Sequence, residues 1–274
     1  MKRLKLNRVL VYLVLTLFAA VMALPFYYMA ITSLKGHREV TQPTLSLIVR
    51  EPTLAPYTEL LDASLFVRAC VNSFWIALAL TLGNMVFGPL AGYAFAKHRF
   101  PGPDKIFLAL LATMMIPGTV LLVPGFLLFR DFGWLDTWAP LIVPGLAGVF
   151  GVFLSRQFID KIPDSLIDAA RVDGFPEWRI FGSVVTPLSK PLLATLGIFT
   201  FLGAWNSFLG PLIILLDEKK FTLPLVIAML QGRFVGKENV QMAGAMLSIL
   251  PVLLVFFVFQ QQIVESLANT GLKK

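Results

Sequence analysis

Residues 69–96 read ACVNSFWIALALTLGNMVFGPLAGYAFA and contain no charged side chain over 28 positions. At about 1.5 Å of rise per residue, a helix of this length crosses the roughly 30 Å hydrocarbon core of a bilayer and has room to tilt. A helix is expected because a backbone in lipid must satisfy its own hydrogen bonds, and the run lacks the in-out alternation of a barrel strand. This stretch therefore predicts a transmembrane helix.

Five further charge-free runs of at least 18 residues bring the predicted number of transmembrane helices to six. They lie between Arg8 and Lys35, Lys105 and Arg130, Asp136 and Arg156, Lys190 and Asp217, and Glu238 and Glu265. The composition agrees, because 57% apolar residues, 14% charged residues and a mean hydropathy of +0.78 exclude a freely soluble protein. One cysteine, Cys70, excludes a disulfide scaffold. We predict an all-α, polytopic membrane protein.

The distribution of basic residues predicts the orientation of these helices. With the N-terminus in the cytoplasm, six spans leave the C-terminus there too, and the cytoplasmic segments hold 14 Lys and Arg against 9 outside. This bias follows the positive-inside rule. The net charge of +7 is therefore a topology signal and does not indicate nucleic-acid binding. We predict a cytoplasmic N-terminus over residues 1–8, followed by a single membrane domain over residues 9–274.

Prolines and glycines inside the runs predict how the helices are shaped and packed. The prolines are interpreted as kinks that neighbouring helices tolerate, at positions 25, 89, 117, 124, 144, 211 and 251. Gly88 and Gly92 form a G-x-x-x-G step in the second run, and Gly148 and Gly151 lie close together in the fourth. Small residues let helices approach closely in lipid, so these four predict a tightly packed bundle.

Catalytic and metal-binding motifs are missing from the sequence. The two histidines, His37 and His98, fall on opposite sides of the membrane in the predicted topology, and there is no phosphate-binding loop. The six runs also lack the ionisable groups that proton relays and ion-coupled transporters carry inside the membrane. A membrane-embedded enzyme is thus disfavoured, and an ion-coupled secondary transporter is a remote alternative. If this chain moves a solute uphill, another subunit is expected to supply the energy.

The loop between the fourth and fifth runs, residues 156–190, predicts two short helices. Pro163 and Asp164 suit the first turn of a helix, and Gly174 is placed to cap its end. A second helix is expected to begin at Pro176-Glu177 and to end at Pro187. The paired short side chains of Ala169 and Ala170 would let the first helix seat in a partner's cleft, although a solvated connector explains the same residues.

The sequence around this loop resembles a family motif. Asp168-Ala169-Ala170-Arg171-Val172-Asp173-Gly174, with Ile162-Pro163 before it and Pro187 after it, is similar to the EAA motif of the membrane subunits of bacterial ATP-binding-cassette importers. The first acid of the motif is usually Glu and is Asp168 here. Further stretches resemble the carbohydrate-uptake permeases of the MalG-like type, namely Asn72-Ser73, Phe100-Pro101-Gly102, Trp205-Asn206 with Phe208, and Thr222-Leu223-Pro224.

The resemblance implies a type I importer permease in a bacterial or archaeal cytoplasmic membrane. Its expected partners are a second, homologous permease that completes the pore, two ATPase subunits that bind ATP and magnesium, and an external solute-binding protein, with membrane lipid around them. This chain itself is expected to need no cofactor and to hold no catalytic site. The loop would be the coupling helix, seated in a groove of the ATPase through Asp168, Ala169, Ala170, Asp173 and Gly174, with Asp168 pairing to a basic residue there. The tail, Ser266–Lys274, follows the family ending only loosely.

The solute path is predicted in the fifth run. Asn206 lies near the middle of that run between Trp205 and Ser207, and neutral hydrogen-bonding groups beside an aromatic face suit a sugar. The alternative for Asn206 is a hydrogen bond between helices. The resemblance implies import of a sugar or oligosaccharide, with glycerol-3-phosphate or another polyol phosphate as the alternative substrate.

Overall fold

The computed structural model describes the backbone of residues 2–42, 46–62 and 64–271 and the side chains of residues 8–42, 46–62 and 64–260. Over this part of the chain the structure is helical, and the sole extended pairing is an isolated bridge between Lys35 and Pro52. The prediction of an all-α fold is confirmed. The side chains of the tail, Ser266–Lys274, lie outside the described residues.

Fifteen α-helices follow one another along the described chain. The first eight are α1 Lys2–Ser33, α2 His37–Val40, α3 Ala55–Asp62, α4 Ser64–Lys97, α5 Pro103–Met114, α6 Leu122–Asp131, α7 Ala139–Ile142 and α8 Val149–Ile159. The other seven are α9 Asp164–Val172, α10 Glu177–Ile180, α11 Thr186–Leu188, α12 Lys190–Trp205, α13 Leu209–Ile214, α14 Leu223–Arg233 and α15 Glu238–Gly271. Short 3-10 turns cover Gly118–Leu121, Val143–Gly145 and Glu218–Lys220, and a π-helical turn covers Phe181–Val185.

Four of these segments are long and apolar enough to cross a membrane unaided. They are Arg8–Ser33, Ser64–Lys97, Ala139–Ile159 and Glu238–Gln260. Two bent pairs, Pro103–Met114 with Gly118–Asp131 and Glu177–Leu188 with Lys190–Trp205, bring the number to six if each pair is one span. The predicted positions of the apolar segments therefore agree with the structure.

Three of the predicted spans are not the continuous helices that we expected. The third run bends by 87° where Pro117 follows α5, because a proline disfavours helical backbone in the residue before it. The fourth run passes through a 3-10 turn at Pro144, and the fifth is interrupted between α12 and α13. Pro211 explains this last break, because it has no N–H to donate to the carbonyl of Ser207. Pro25, Pro89 and Pro251, by contrast, lie inside continuous helices as predicted.

The chain divides into two compact units. The first comprises Met1–Val67 and Val226–Leu250. Within it, the Asn239 side-chain amide donates to the Lys35 carbonyl over 2.9 Å, and Gly244 lies against Leu60, Leu230 and Phe66. The second comprises Arg68–Leu225 and Pro251–Lys274 and holds every residue of the candidate site.

In the second unit α4 and α8 touch through their small residues, which agrees with the tight packing that the glycines predict. A methyl group added to Gly88 would come within 3.2 Å of the Gly151 backbone. One added to Gly92 would meet the Ser155 Cβ at 2.4 Å and the Arg156 nitrogen at 2.8 Å. These separations leave no room for a side chain, so the two backbones are in direct van der Waals contact.

We expect Gly92→Ala to weaken the α4–α8 contact, since the new methyl group would press on backbone atoms that cannot rotate away. Overpacking of this kind costs about 1–3 kcal/mol in the free energy of unfolding. Gly203→Ala is the matched control, because nothing lies within 4 Å of a Cβ there and alanine is the better helix former. Thermal unfolding in detergent should show a lower midpoint for Gly92→Ala alone, and equal midpoints would contradict the contact.

Asp136 ties the α6–α7 connection to the segment after α13. It adopts a left-handed backbone conformation with φ of 55°. Its Oδ1 accepts hydrogen bonds from the backbone N–H groups of Leu216 and Asp217, and its Oδ2 lies 2.6 Å from Lys220 Nζ. These donors, the Asp217 amide first, lower the pKa of Asp136 to about 2. The ionised carboxylate therefore fixes the segment that leads to Thr222.

The stabilising effect of Asp136 should depend on pH. Because its folded pKa is below the ordinary value of 3.8, its contribution is complete above about pH 4 and is lost as the pH falls through about 2. Asp136→Asn keeps a residue that tolerates the left-handed backbone but removes the charge. We expect the variant to melt at a lower temperature than the unmodified protein at pH 7, with the difference shrinking as the pH approaches 2. A pH-independent difference would contradict this role.

Candidate functional site

The predicted loop forms a compact elbow, defined here as residues 163–188. Its first helix, α9, starts after Pro163, whose backbone is extended, and carries Asp164 in its first turn. The dipole of a helix favours an acid at this end. The predicted start of the first elbow helix is therefore confirmed.

Gly174 ends α9 in the way the sequence predicts. Its φ is 78°, in the left-handed region that glycine adopts without strain. The N–H of Gly174 donates to the Arg171 carbonyl and the N–H of Phe175 donates to the Ala170 carbonyl, both over 3.0 Å. This is the paired pattern of a Schellman motif, which satisfies carbonyls at a helix end and reverses the chain.

The second arm of the elbow runs from Glu177 through Leu188. It begins with α10, passes through the π-helical turn and ends with α11. The sequence predicts its start and places its end at Pro187, one residue early. The chain then bends by 81° into α12, where Pro191 cannot donate to the Pro187 carbonyl.

The inner face of the elbow packs against the membrane helices. Ile167, Ala170 and Ile180 are buried in one apolar cluster, together with Tyr93 of α4 and Ile159 of α8. Ala170 therefore faces the protein's own core and does not point outward with Ala169, as the resemblance had suggested. The physical reason is helical geometry, because residues three apart share a face and Ile167 is the stronger apolar anchor.

The outer face of the elbow is exposed. It presents Asp168 and Ala169 together with two large apolar side chains, Val172 and Trp178, which are 88% and 77% exposed. Asp173 and Gly174 are exposed at the turn. Large apolar side chains with this much exposure are typical of a surface that another molecule covers. A role for Val172 and Trp178 was not predicted, although the sequence shows these two large apolar residues on either side of the capping Gly174.

An ion-pair network fixes the two arms of the elbow to each other. Arg171 Nε donates to Glu177 Oε1 over 2.8 Å, and the same guanidinium donates to Asp168 Oδ1 over 3.1 Å. Asp168, expected to pair with a basic residue of another subunit, is thus paired within the chain. A planar guanidinium can serve two carboxylates at once, so Arg171 joins the two arms.

A cavity of about 390 Å³ lies in the second unit at the far end of α4 from the elbow. Its polar lining residues are Ser73, Asn84, Thr200, Ser207 and Thr222. Phe150 and Phe199 contribute aromatic surface, and none of the described residues that line it is ionisable. The side-chain oxygens of Asn84 and Thr222 are buried without a hydrogen-bond partner in this structure. Such a cavity can accept a neutral, hydrogen-bonding group.

The three residues predicted for the solute path lie at the break after α12 and have different surroundings. Ser207 lines the cavity. Asn206 is exposed and its side-chain amide donates to the Leu202 carbonyl over 2.9 Å, so it caps the end of α12 and does not lie within a continuous helix. Trp205 is buried and stacks on Phe201 with 5.8 Å between ring centroids. Within the described residues, no three His, Cys, Asp or Glu side chains come close enough to hold a metal ion.

Comparison with known proteins relates this geometry to a transport family. Residues 2–269 match the family described as binding-protein-dependent transport system inner membrane component. The arabinooligosaccharides transport system permease protein AraQ of Halalkalibacterium halodurans is 31% identical, over 93% of this chain and 92% of AraQ. The lactose transport system permease protein LacG of Rhizobium radiobacter is 33% identical, over 98% and 97% of the two chains.

A further relative is the sn-glycerol-3-phosphate transport system permease protein UgpE of Agrobacterium fabrum, which is 30% identical over 96% of both chains. Among solved structures, a bacterial ABC transporter involved in the import of the acidic polysaccharide alginate matches with a TM-score of 0.85 and 25% identity. That match covers 94% of this chain and 96% of the other. The chain therefore belongs to the family of binding-protein-dependent transport system inner membrane components, as a multi-pass permease subunit of an ABC importer and not an enzyme.

Proposed function

We propose that this chain forms one half of the translocation pore of a sugar or oligosaccharide importer. The proposal is carried by the cavity, which combines hydrogen-bonding side chains with aromatic walls and contains no charged lining residue among those described. Two of the relatives, AraQ and LacG, are named for transport of neutral sugars. A neutral solute requires no counter-charge in a site of low dielectric, which matches this lining.

The proposed assembly contains a second, homologous permease, two ATPase subunits and an external solute-binding protein. ATP and magnesium would bind to the ATPase subunits, and both termini of this chain and its elbow would face the cytoplasm. Support comes from the surface of α1, where every residue from 8 to 28 is exposed within the chain. So long an exposed apolar surface needs lipid or another subunit to cover it.

The elbow would dock on the ATPase through its outer face. The short side chain of Ala169 lets α9 approach the ATPase closely. Val172 and Trp178 supply apolar area that a groove can bury. Gly174 and Asp173 would form the end of the contact. Asp168 would meet the ATPase while Arg171 holds it in place, and Ala170 would support the helix from inside.

Ala169 and Ala170 provide a matched pair to test this docking surface. Ala169→Trp should leave thermal stability unchanged but weaken ATPase binding by about tenfold or more, since bulk at the centre of an interface blocks close approach. Ala170→Trp should instead lower the free energy of unfolding by about 1–3 kcal/mol, because it overpacks the core beneath α9. Thermal unfolding and co-purification with the ATPase distinguish the two. Normal ATPase binding by Ala169→Trp would contradict the proposed surface.

Glycerol-3-phosphate import is the second candidate, because UgpE is about as similar to this chain as AraQ is. A phosphate ester is anionic, and recognition of phosphate normally uses Arg, Lys or helix N-termini. The uncharged cavity lining favours a neutral sugar over this alternative. Ser207, and next to it Trp205 and Asn206, remain the predicted residues of the solute path.

The substrate class can be tested with the complete importer in proteoliposomes. ATP-dependent uptake of a neutral oligosaccharide should exceed that of glycerol-3-phosphate and of an acidic oligosaccharide, each supplied with the importer's own binding protein. Replacing Ser207 by a bulky residue such as Phe should reduce uptake of the neutral solute without releasing the ATPase. Preferential uptake of either anionic solute would overturn the proposal.

A further inference from the structure

Helix α4 connects the cavity to the elbow. Ser73, Ile76, Leu80 and Asn84 line the cavity, and their spacing of three and four residues places them on one face of the helix. Tyr93 and Lys97 lie at the other end of α4 and contact the elbow at Glu177 and Asp164. Asn84 and Lys97 are 13 residues apart, which corresponds to roughly 20 Å along the helix axis. Any motion of the elbow that moves Tyr93 and Lys97 therefore acts on the cavity through this helix.

Lys97 fastens the last residue of α4 to the start of the elbow. Its side chain is only 5% exposed. The ammonium group donates to the carbonyls of Asp160 and Ile162 over 3.2 and 2.7 Å and to Asp164 Oδ1 over 2.6 Å. All three donors of the ammonium are thus used, which a buried charge requires. The same contact lowers the pKa of Asp164, so its carboxylate is ionised at neutral pH.

Tyr93 fastens α4 to both arms of the elbow. Its hydroxyl is the donor to Glu177 Oε2 over 2.7 Å, and its ring is buried against Phe181. Glu177 also accepts from Arg171 of the first arm and lies 3.4 Å from His98 Nε2. One carboxylate therefore joins the membrane helix and the two elbow helices.

Pro89 lies between the cavity and this joint, where a proline could allow α4 to flex. The helix is held on both sides of it, because Gly88 contacts Gly151 and Gly92 contacts Ser155 of α8. Helix α8 in turn leads directly into the elbow. These contacts oppose bending at Pro89, so that displacement at Lys97 reaches Asn84.

We propose that Tyr93 and Lys97 are positioning residues for import, which hold the elbow end of α4 so that an elbow displaced by the ATPase carries the cavity-lining face with it. This inference rests on the proposed function of the elbow as the ATPase contact. It assigns a role in transport to two side chains that touch neither the outer face of the elbow nor the cavity.

The test uses the complete importer carrying Tyr93→Phe and Lys97→Met, singly and together. Both substitutions keep the approximate shape and remove the polar contacts. We expect the double variant to assemble and to hydrolyse ATP, with the ATP hydrolysed per solute imported rising by about tenfold. Lys97→Arg, which keeps the charge, should restore part of the coupling. Unchanged coupling in the double variant would overturn the proposal, as would loss of uptake that follows only a loss of assembly.

A second measurement does not depend on the solute. Spin labels at Leu82 of α4 and Ser183 of the elbow, both exposed, can be placed in a Cys70→Ala background. Their separation should be the same with and without ATP in the otherwise unmodified importer and should vary or broaden in the double variant. A separation that changes with ATP before any substitution would overturn the inference. Failure of the ATPase to bind the elbow would instead contradict the proposed function.

Discussion

The direct contact between α4 and α8 is the constraint on which the second unit depends. In lipid the hydrophobic effect does not drive helices together, so close van der Waals packing must hold them in contact. Gly88 and Gly92 on one helix and Gly151 and Ser155 on the other make that packing possible. Asn84 fills the space beside Gly151, with its amide donating to the Gly145 carbonyl over 3.2 Å. The cavity begins at this point, and the elbow begins where the same two helices end.

Charge is distributed in a way that suits a subunit driven by others. The predicted spans contain no Asp, Glu, Lys, Arg or His. The described residues that line the cavity are also neutral. Ionised side chains gather at the elbow instead, where Lys97, Asp164, Arg171 and Glu177 are each paired. These pairs lie outside the predicted spans and hold the elbow in a defined shape.

The sequence predicts those features that depend on local chemistry. Absence of charge is sufficient to locate the apolar segments, and Pro163 and Gly174 define the ends of α9 through backbone preferences alone. A kink was predicted at Pro117, but not a bend of 87°, because composition shows that a run can lie in lipid, whereas its path depends on what packs around it. The same limit applies to the end of α12, where Asn206 was expected inside a continuous helix.

Side-chain roles at the site depend on contacts between distant parts of the chain. Ala169 and Ala170 are the same residue type in adjacent positions, so the sequence alone does not show which of them faces inward. The packing of Ile167 and Ile180 decides this. Tyr93 and Glu177 are 84 positions apart, so no local pattern relates them. Within the elbow, the joint to α4 is built from inward-facing and paired side chains, while Ala169 and Val172 on the outside do not contribute to it. Substitutions on the outer surface can therefore accumulate without disturbing the joint to α4, so that surface is free to change together with whatever protein covers it.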